Sequence, residues 1–176
     1  MRTGVTEGAA DRCDRGMKAD DLFHLGIVTE TFEQTRDELS SLFGYEWGPE
    51  VGGPIDVTLP SGDATVDLRC AYSVTAPRVE IVRAVPQSTL WDASKGQGIH
   101  HVGYWSDDVA ADSAELAGHG YVTEATRLGP DGIPFFSFQR SPWGFRIELV
   151  SRTAKTGLEQ CWATPVAREA EVGAKS

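Results

Sequence analysis

Apolar and polar positions along the chain fall into short bounded runs whose period switches between 2 and about 3.6. Residues 22–28 (LFHLGIV) are brief, apolar and β-branched and predict a buried strand. In the stretch that follows, TETFEQTRDELSSLFG at 29–44, Thr31 and Gln34 have the spacing of a capping box. Phe32, Leu39 and Leu42 share one helical face there, and Gly44 can end the helix. Strands are predicted at 55–59, 65–72 and 78–85, with turns at 60–63 (PSGD) and 75–77 (TAP). The order then begins again. GIHHVGYW at 98–105 predicts a strand, and SDDVAADSAELAGHG at 106–120 a helix with Ser106 or Asp107 as N-cap and Gly120 as terminator. Strand-like stretches recur at 134–140 and 145–150.

The repetition keeps a fixed offset. His24 to His101, Phe32 to Val109 and Leu39 to Leu116 are each 77 residues apart, and Gly44 to Gly120 is 76. Two copies of one βαβββ unit follow, each expected to bury its apolar face against its twin. The expected domain is residues 20–152, with a first module at about 20–87 and a second at about 97–152. Residues 1–19 and, apart from the Cys161-Trp162 pair, 153–176 carry no hydrophobic period and are expected to be tails, the first disordered, with Met17 an alternative start.

Composition narrows the function classes. The 176 residues fit one domain or two small modules sharing a core, with 40% hydrophobic residues and a mean hydropathy of -0.27. A formal charge of -10 and a pI near 4.8 repel nucleic-acid backbones and anionic lipid, so neither is an expected partner. Cys13, Cys70 and Cys161 form no CxxC pair and argue against a disulfide framework. The N-terminus lacks the apolar centre of a signal peptide, and no apolar run reaches the ~18 residues of a membrane span. A reducing cytoplasm is the expected compartment.

The chemistry lies in the strands. Glu80 within VEIV and Glu148 within IELV are carboxylates in otherwise apolar strands, costly to bury unless paired or bound to a cation. If the modules pack about a pseudo-twofold axis, His24 and His101 from the first strands meet Glu80 and Glu148 from the last. Two imidazoles and two carboxylates make a divalent-metal cage with room for water or substrate. His100 competes with His101, but the 77-residue offset selects His101, and alternation sends its neighbour to the other face. His119, inside a helix terminator, is expected at the surface, and Asp107 and Asp108 are expected to start a helix. Trp105 shares strand parity with His101 and, with Phe136 and Phe138 from a neighbouring strand, is expected to line the substrate pocket.

This layout resembles the vicinal oxygen chelate superfamily, which includes glyoxalase I, methylmalonyl-CoA epimerase, extradiol dioxygenases and the fosfomycin and bleomycin resistance proteins. The resemblance spans about residues 21–151. It is carried best by GIHHVGYWSDDV at 98–109, similar to the second-module opening of methylmalonyl-CoA epimerases, and by SPWGFRIELV at 141–150. It implies an α+β fold in which the tandem βαβββ modules form a curved mixed sheet bearing a cleft, with helices outside. It places one divalent ion (Zn, Ni, Co, Mn or Fe) on His24, Glu80, His101 and Glu148, and leaves room for a homodimer.

The implied activity is that of a metal-dependent isomerase or lyase. A proton leaves the carbon beside a metal-chelated carbonyl through an enediolate, with Glu148 as base and Asp67 as a second acid on the opposite face. The substrate is a small molecule of unspecified identity. An Fe(II) extradiol dioxygenase using His24, His101 and Glu148 is the alternative. Against it, the family's tyrosine falls at Phe138 and its catalytic histidine at Gln87. A non-enzymatic antibiotic-binding protein is a third reading, disfavoured by the complete donor set. Fosfomycin-type chemistry needs a basic cluster where Lys95 stands alone. Arg69, Arg78, Arg83, Arg140 and Arg146 are available for a CoA ester's phosphates, with solvated faces as their default.

Overall fold

Side chains that alternate between an apolar and a polar environment set the face each strand turns inward. In a computed structural model, which describes residues 16–95 and 98–166, the strands are β1 (Leu22–Thr29), β2 (Val51–Leu59), β3 (Gly62–Tyr72), β4 (Val79–Arg83), β5 (His101–Ser106), β6 (Val122–Leu128), β7 (Pro134–Arg140) and β8 (Arg146–Ser151). The helices are α1 (Phe32–Phe43), α2 (Val109–Gly118) and α3 (Lys155–Cys161). β1 runs parallel to β4 and β5 parallel to β8, while the other pairs within each module are antiparallel.

The modules join at both sheet edges. β1 pairs antiparallel with β5, and β2 meets β6 at Thr58 and Thr126. The sheet therefore closes in the order β1-β4-β3-β2-β6-β7-β8-β5. The α+β class and tandem modules stand, and the expected curvature goes as far as a closed barrel. Among the described residues no helix is long and apolar enough to cross a membrane.

Helices cover the outside. Phe32 and Leu39 of α1 pack on Ile27, Ala71, Val79 and Ile81, and Val109 and Leu116 of α2 on Leu25, Val102, Ile147 and Leu149. The interior holds Val28, Val57, Val66, Val82, Trp105, Phe136, Phe138 and Val150. A register shift between Leu22 and His24 is a β-bulge, and Phe23 packs against this inner cluster although His24 also points inward. The linker between modules folds back so that Trp91, fully buried, joins the inner cluster and packs edge-on against Phe138.

Several local expectations change. Thr31 precedes α1 but makes no capping hydrogen bond, its hydroxyl meeting those of Thr29 and Thr35 instead. Leu42 stays in solvent, and the buried position falls to Ser40, which accepts a 3.0 Å hydrogen bond from Trp47 Nε1. Gly44 ends α1 at φ +74, as expected. Asp108, rather than Ser106 or Asp107, caps α2 by accepting from the Ala111 amide. β6 has no clear signature because Ala125 is its one fully buried residue and threonine, glutamate and arginine fill most other positions.

The largest correction concerns the C-terminus. Residues 153–166 are not a free tail: α3 forms, Leu158 and Trp162 pack against the inner cluster, and the Val166 amide donates to the Trp47 carbonyl. At the other end Met17 packs against the outer cluster beside α2. The remaining tail residues, 1–15 with Cys13 and 167–176, lie outside the described residues. Cys70 and Cys161 are free thiols.

Candidate metal centre

Strand pairing sets four inward donors in two rows across the barrel wall. In one row Glu80 of β4 lies beside Gly26 of β1, which lies beside His101 of β5. In the other, His24 of β1 lies beside Gly103 of β5, which lies beside Glu148 of β8. Each row is thus carboxylate, glycine, imidazole, and the rows are related by the repeat.

The glycines are a steric requirement. A Cβ at Gly26 would overlap the His101 ring, and one at Gly103 the His24 ring. Neither glycine has a positive φ, so space rather than backbone conformation demands them. The repeated His-x-Gly is therefore reciprocal: each module's glycine makes room for the other module's imidazole.

The donors converge. His24 Nε2 and His101 Nε2 are 2.9 Å apart. Glu80 Oε2 stands 3.3 Å from His24 Nε2 and 3.0 Å from His101 Nε2. Glu148 Oε2 is 3.3 and 3.5 Å from the same two atoms. An ion with donors at ~2.1 Å needs donor separations of ~3.0 Å in octahedral cis and ~3.4 Å in tetrahedral geometry, so the cage has the right dimensions. Glu148 Oε2 is also buried with no hydrogen-bond partner among the described residues. A bare buried carboxylate oxygen facing two imidazoles fits a cation.

Electrostatics within the cage agree. Burial disfavours protonation of His24, but the Glu80 charge and the close approach of the Glu148 and Glu80 carboxylates outweigh it and push the imidazole up to about 9. His101 is raised in the same way, against its own burial, by the nearby carboxylates of Glu148 and Glu80. Burial raises both carboxylates, yet the two histidines win. Glu80 ends well below the ordinary range and Glu148 below it. The two buried carboxylates thus draw positive charge into the cage, which is what one divalent ion would supply.

His100 lies just outside β5 and has a definite task. Its Nε2 stands 2.9 Å from the Leu90 carbonyl, which can only accept, so Nε2 carries the proton. Burial, with the neighbouring positive charges of His101 and Arg146, lowers His100 to about 4, so the ring is neutral and Nδ1 accepts. The His101 Nδ1, 3.0 Å away, must then donate, which leaves its Nε2 lone pair for the cage.

The other expected site residues divide. Asp67 is not brought to the cage: it lies on the outer face of β3, half-exposed and paired with Arg69 at 3.0 Å. Alternation explains this, since Val66, Leu68, Cys70 and Tyr72 take the inward positions. Phe138 packs edge-on against the His101 ring at 5.1 Å, and Phe136 packs on Phe138. Trp105 stacks on Phe23 at 3.8 Å and lines a cavity of about 410 Å³ at the barrel mouth, together with His24, Arg78, Glu159 and Trp162. His119 is exposed at the end of α2.

Two neighbours of the cage were not anticipated. Tyr72 lies opposite Glu80 in the β3–β4 register, and Cys70 precedes it on the same face. Burial and the Glu80 charge hold both well above their ordinary values, so both keep their protons. Counting back from Glu80 through the 75–77 turn would have identified Tyr72.

Comparison with known proteins identifies the family. A model of the Glyoxalase/Bleomycin resistance protein/Dioxygenase superfamily matches residues 23–138. No curated protein sequence matches significantly. Among solved structures, methylmalonyl-CoA epimerase from Mycobacterium tuberculosis superposes with a TM-score of 0.56 at 17% identity, over 82% of this chain and 95% of that one. A variant of the Streptomyces coelicolor methylmalonyl-CoA epimerase in complex with 2-nitronate-propionyl-CoA gives 0.52 at 19% identity, over 74% and 96%. These likenesses establish the fold. With the family match covering more than half of the sequence, the chain belongs to the glyoxalase, bleomycin resistance protein and dioxygenase superfamily, the vicinal oxygen chelate fold.

Proposed function

We propose that the protein is a metal-dependent isomerase of the epimerase and glyoxalase type, which removes a proton from the carbon beside a carbonyl. The observation that carries this reading is the buried donor set of His24, Glu80, His101 and Glu148, spaced for one divalent ion. Such an ion, when bound, stabilises negative charge that develops on a substrate oxygen.

The chain's residues divide the remaining work. His24 and His101 hold the ion through Nε2, with His100 fixing the His101 tautomer. Glu80 is the more firmly held carboxylate, with Tyr72 and Cys70 on its flank. Glu148 is the proton acceptor, because its buried Oε2 has no hydrogen-bond partner among the described residues. The outward Asp67 leaves no part for the second acid expected there. If the product is an epimer, Tyr72, which keeps its proton beside Glu80, is the candidate for the second acid.

The dioxygenase alternative gains nothing. Phe138 has no hydroxyl to offer at the His101 ring, and Gln87 lies exposed in a turn at φ +64. Simple sequestration leaves the bare Glu148 oxygen without a purpose.

Metal analysis of the purified protein tests the reading, followed by deuterium exchange at the carbon beside the carbonyl of methylmalonyl-CoA, the ligand of one solved neighbour. One equivalent of divalent metal is expected, lost in His101→Ala, with exchange lost in Glu148→Gln while metal is partly retained. Absence of stoichiometric metal, or exchange unaffected by Glu148→Gln, overturns the proposal.

A further inference from the structure

Arginines near the strands mostly have carboxylate partners. Arg69 pairs with Asp67, Arg83 with Glu33 and Glu50, and Arg140 and Arg146 share Glu124. Arg78 has no carboxylate at ion-pair distance among the described residues, although it is partly buried. One guanidinium nitrogen donates to the Ser73 carbonyl at 2.5 Å, and the group lies 4.2 Å over the Trp162 ring. These contacts fix its position and leave further N–H donors for something else. Arg78 lines the mouth cavity of about 410 Å³ whose wall includes the cage residue His24.

The cavity's shape and charge select a ligand. Phe23 and Trp105, stacked at 3.8 Å with 12° between their planes, supply an aromatic part of the lining, and Trp162 lies against the Arg78 guanidinium. Glu159, the lining carboxylate, reaches Lys155 at 3.9 Å and also acts on Arg78 through its charge, from beyond ion-pair distance. Arg78 and Glu80 are alternate residues of one extended segment, so their side chains leave the same face ~7 Å apart.

We propose that the mouth cavity binds a planar, apolar carboxylate, with Arg78 holding the carboxylate and the opposite end of the ligand reaching the four-donor cage. This substrate class rests on the metal-dependent reading above. The spacing sets the ligand's length at ~7–10 Å between carboxylate and chelating oxygens, about one aromatic ring with a short side arm. A single guanidinium in this lining matches one carboxylate.

Calorimetric titration with three probes tests the proposal. Cinnamate carries only the carboxylate, catechol only vicinal oxygens, and 3,4-dihydroxycinnamate both. Cinnamate is expected to bind metal-free protein, to outcompete uncharged cinnamamide, and to lose about 10- to 100-fold in affinity in Arg78→Met, with Arg78→Lys between. Arg127→Met, a control arginine resting on Phe135, should change nothing. Zinc should strengthen 3,4-dihydroxycinnamate binding, and Arg78→Met should leave catechol binding to the zinc form intact. Equal affinity for cinnamate and cinnamamide, or a folded Arg78→Met that binds cinnamate as the parent does, overturns the proposal. If zinc adds nothing while cinnamate still depends on Arg78, the metal-dependent reading fails and the carboxylate site stands.

Discussion

Replacing Gly26 by alanine tests the reciprocal cradle with the smallest available change. The added methyl overlaps the His101 ring, which must retreat by roughly 1.5 Å to restore an ordinary carbon–carbon contact of ~3.5 Å. Metal bonds tolerate displacements of only ~0.2 Å, so His101 Nε2 leaves the coordination distance altogether. Loss of supporting contacts in metal sites costs ~10–100-fold in affinity, and displacement of a ligand should reach at least the upper end. The fold should lose about 1–3 kcal/mol from overpacking. Zinc competition against a chromophoric chelator reads the affinity, and guanidinium unfolding reads the stability. Gly103→Ala should behave alike, because it acts on His24 as Gly26→Ala acts on His101. Gly118→Ala, at the end of α2 with nothing within 4 Å of the new methyl, is the control and should bind zinc normally. A folded Gly26→Ala protein with parental zinc affinity would refute the cradle.

Other consequences are open to direct measurement. Because the metal-free cage holds His24 protonated up to about 9, zinc must displace that proton. Apparent affinity should therefore rise with pH by about tenfold per unit between pH 6 and 8, with proton release visible as a buffer-dependent heat; a flat profile would contradict the charge balance. Asp67→Asn should leave zinc affinity and turnover unchanged, since the carboxylate faces solvent beside Arg69, and a large loss of turnover would return it to the site. Trp162→Ala removes a ring that packs on Tyr72 at 5.2 Å and lies under Arg78. It should cost about 1–2 kcal/mol in guanidinium unfolding, below the value for a fully enclosed tryptophan, and no loss would mean that α3 does not dock.

Much of the site was legible in the linear sequence because a repeat carries geometric information. The offset between His24 and His101 selects His101 over His100 without any structure, and strand parity places Glu80 and Glu148 on one face. Even the matching His-x-Gly tripeptides were visible, but their meaning was not. Each glycine makes space for a ring 77 residues away, and only strand pairing reveals which ring. Asp67 failed for a local reason, since a one-residue difference in parity moves a strand side chain from the interior to solvent. Tyr72 carries no signal of its own and is found only by pairing β3 with β4 across the 75–77 turn, which sets it opposite Glu80.

The sequence by itself determined the periodic pattern, the duplication and the chemical types of the donors, because these are properties of residue order. The tertiary structure decided that the sheet closes, that Trp162 and α3 return to the barrel mouth, and that Arg78 is left facing an aromatic cavity. Those outcomes depend on contacts between residues far apart in the chain. No local propensity encodes a contact between β1, the β3–β4 turn and a C-terminal helix, and the cavity exists only where the three meet.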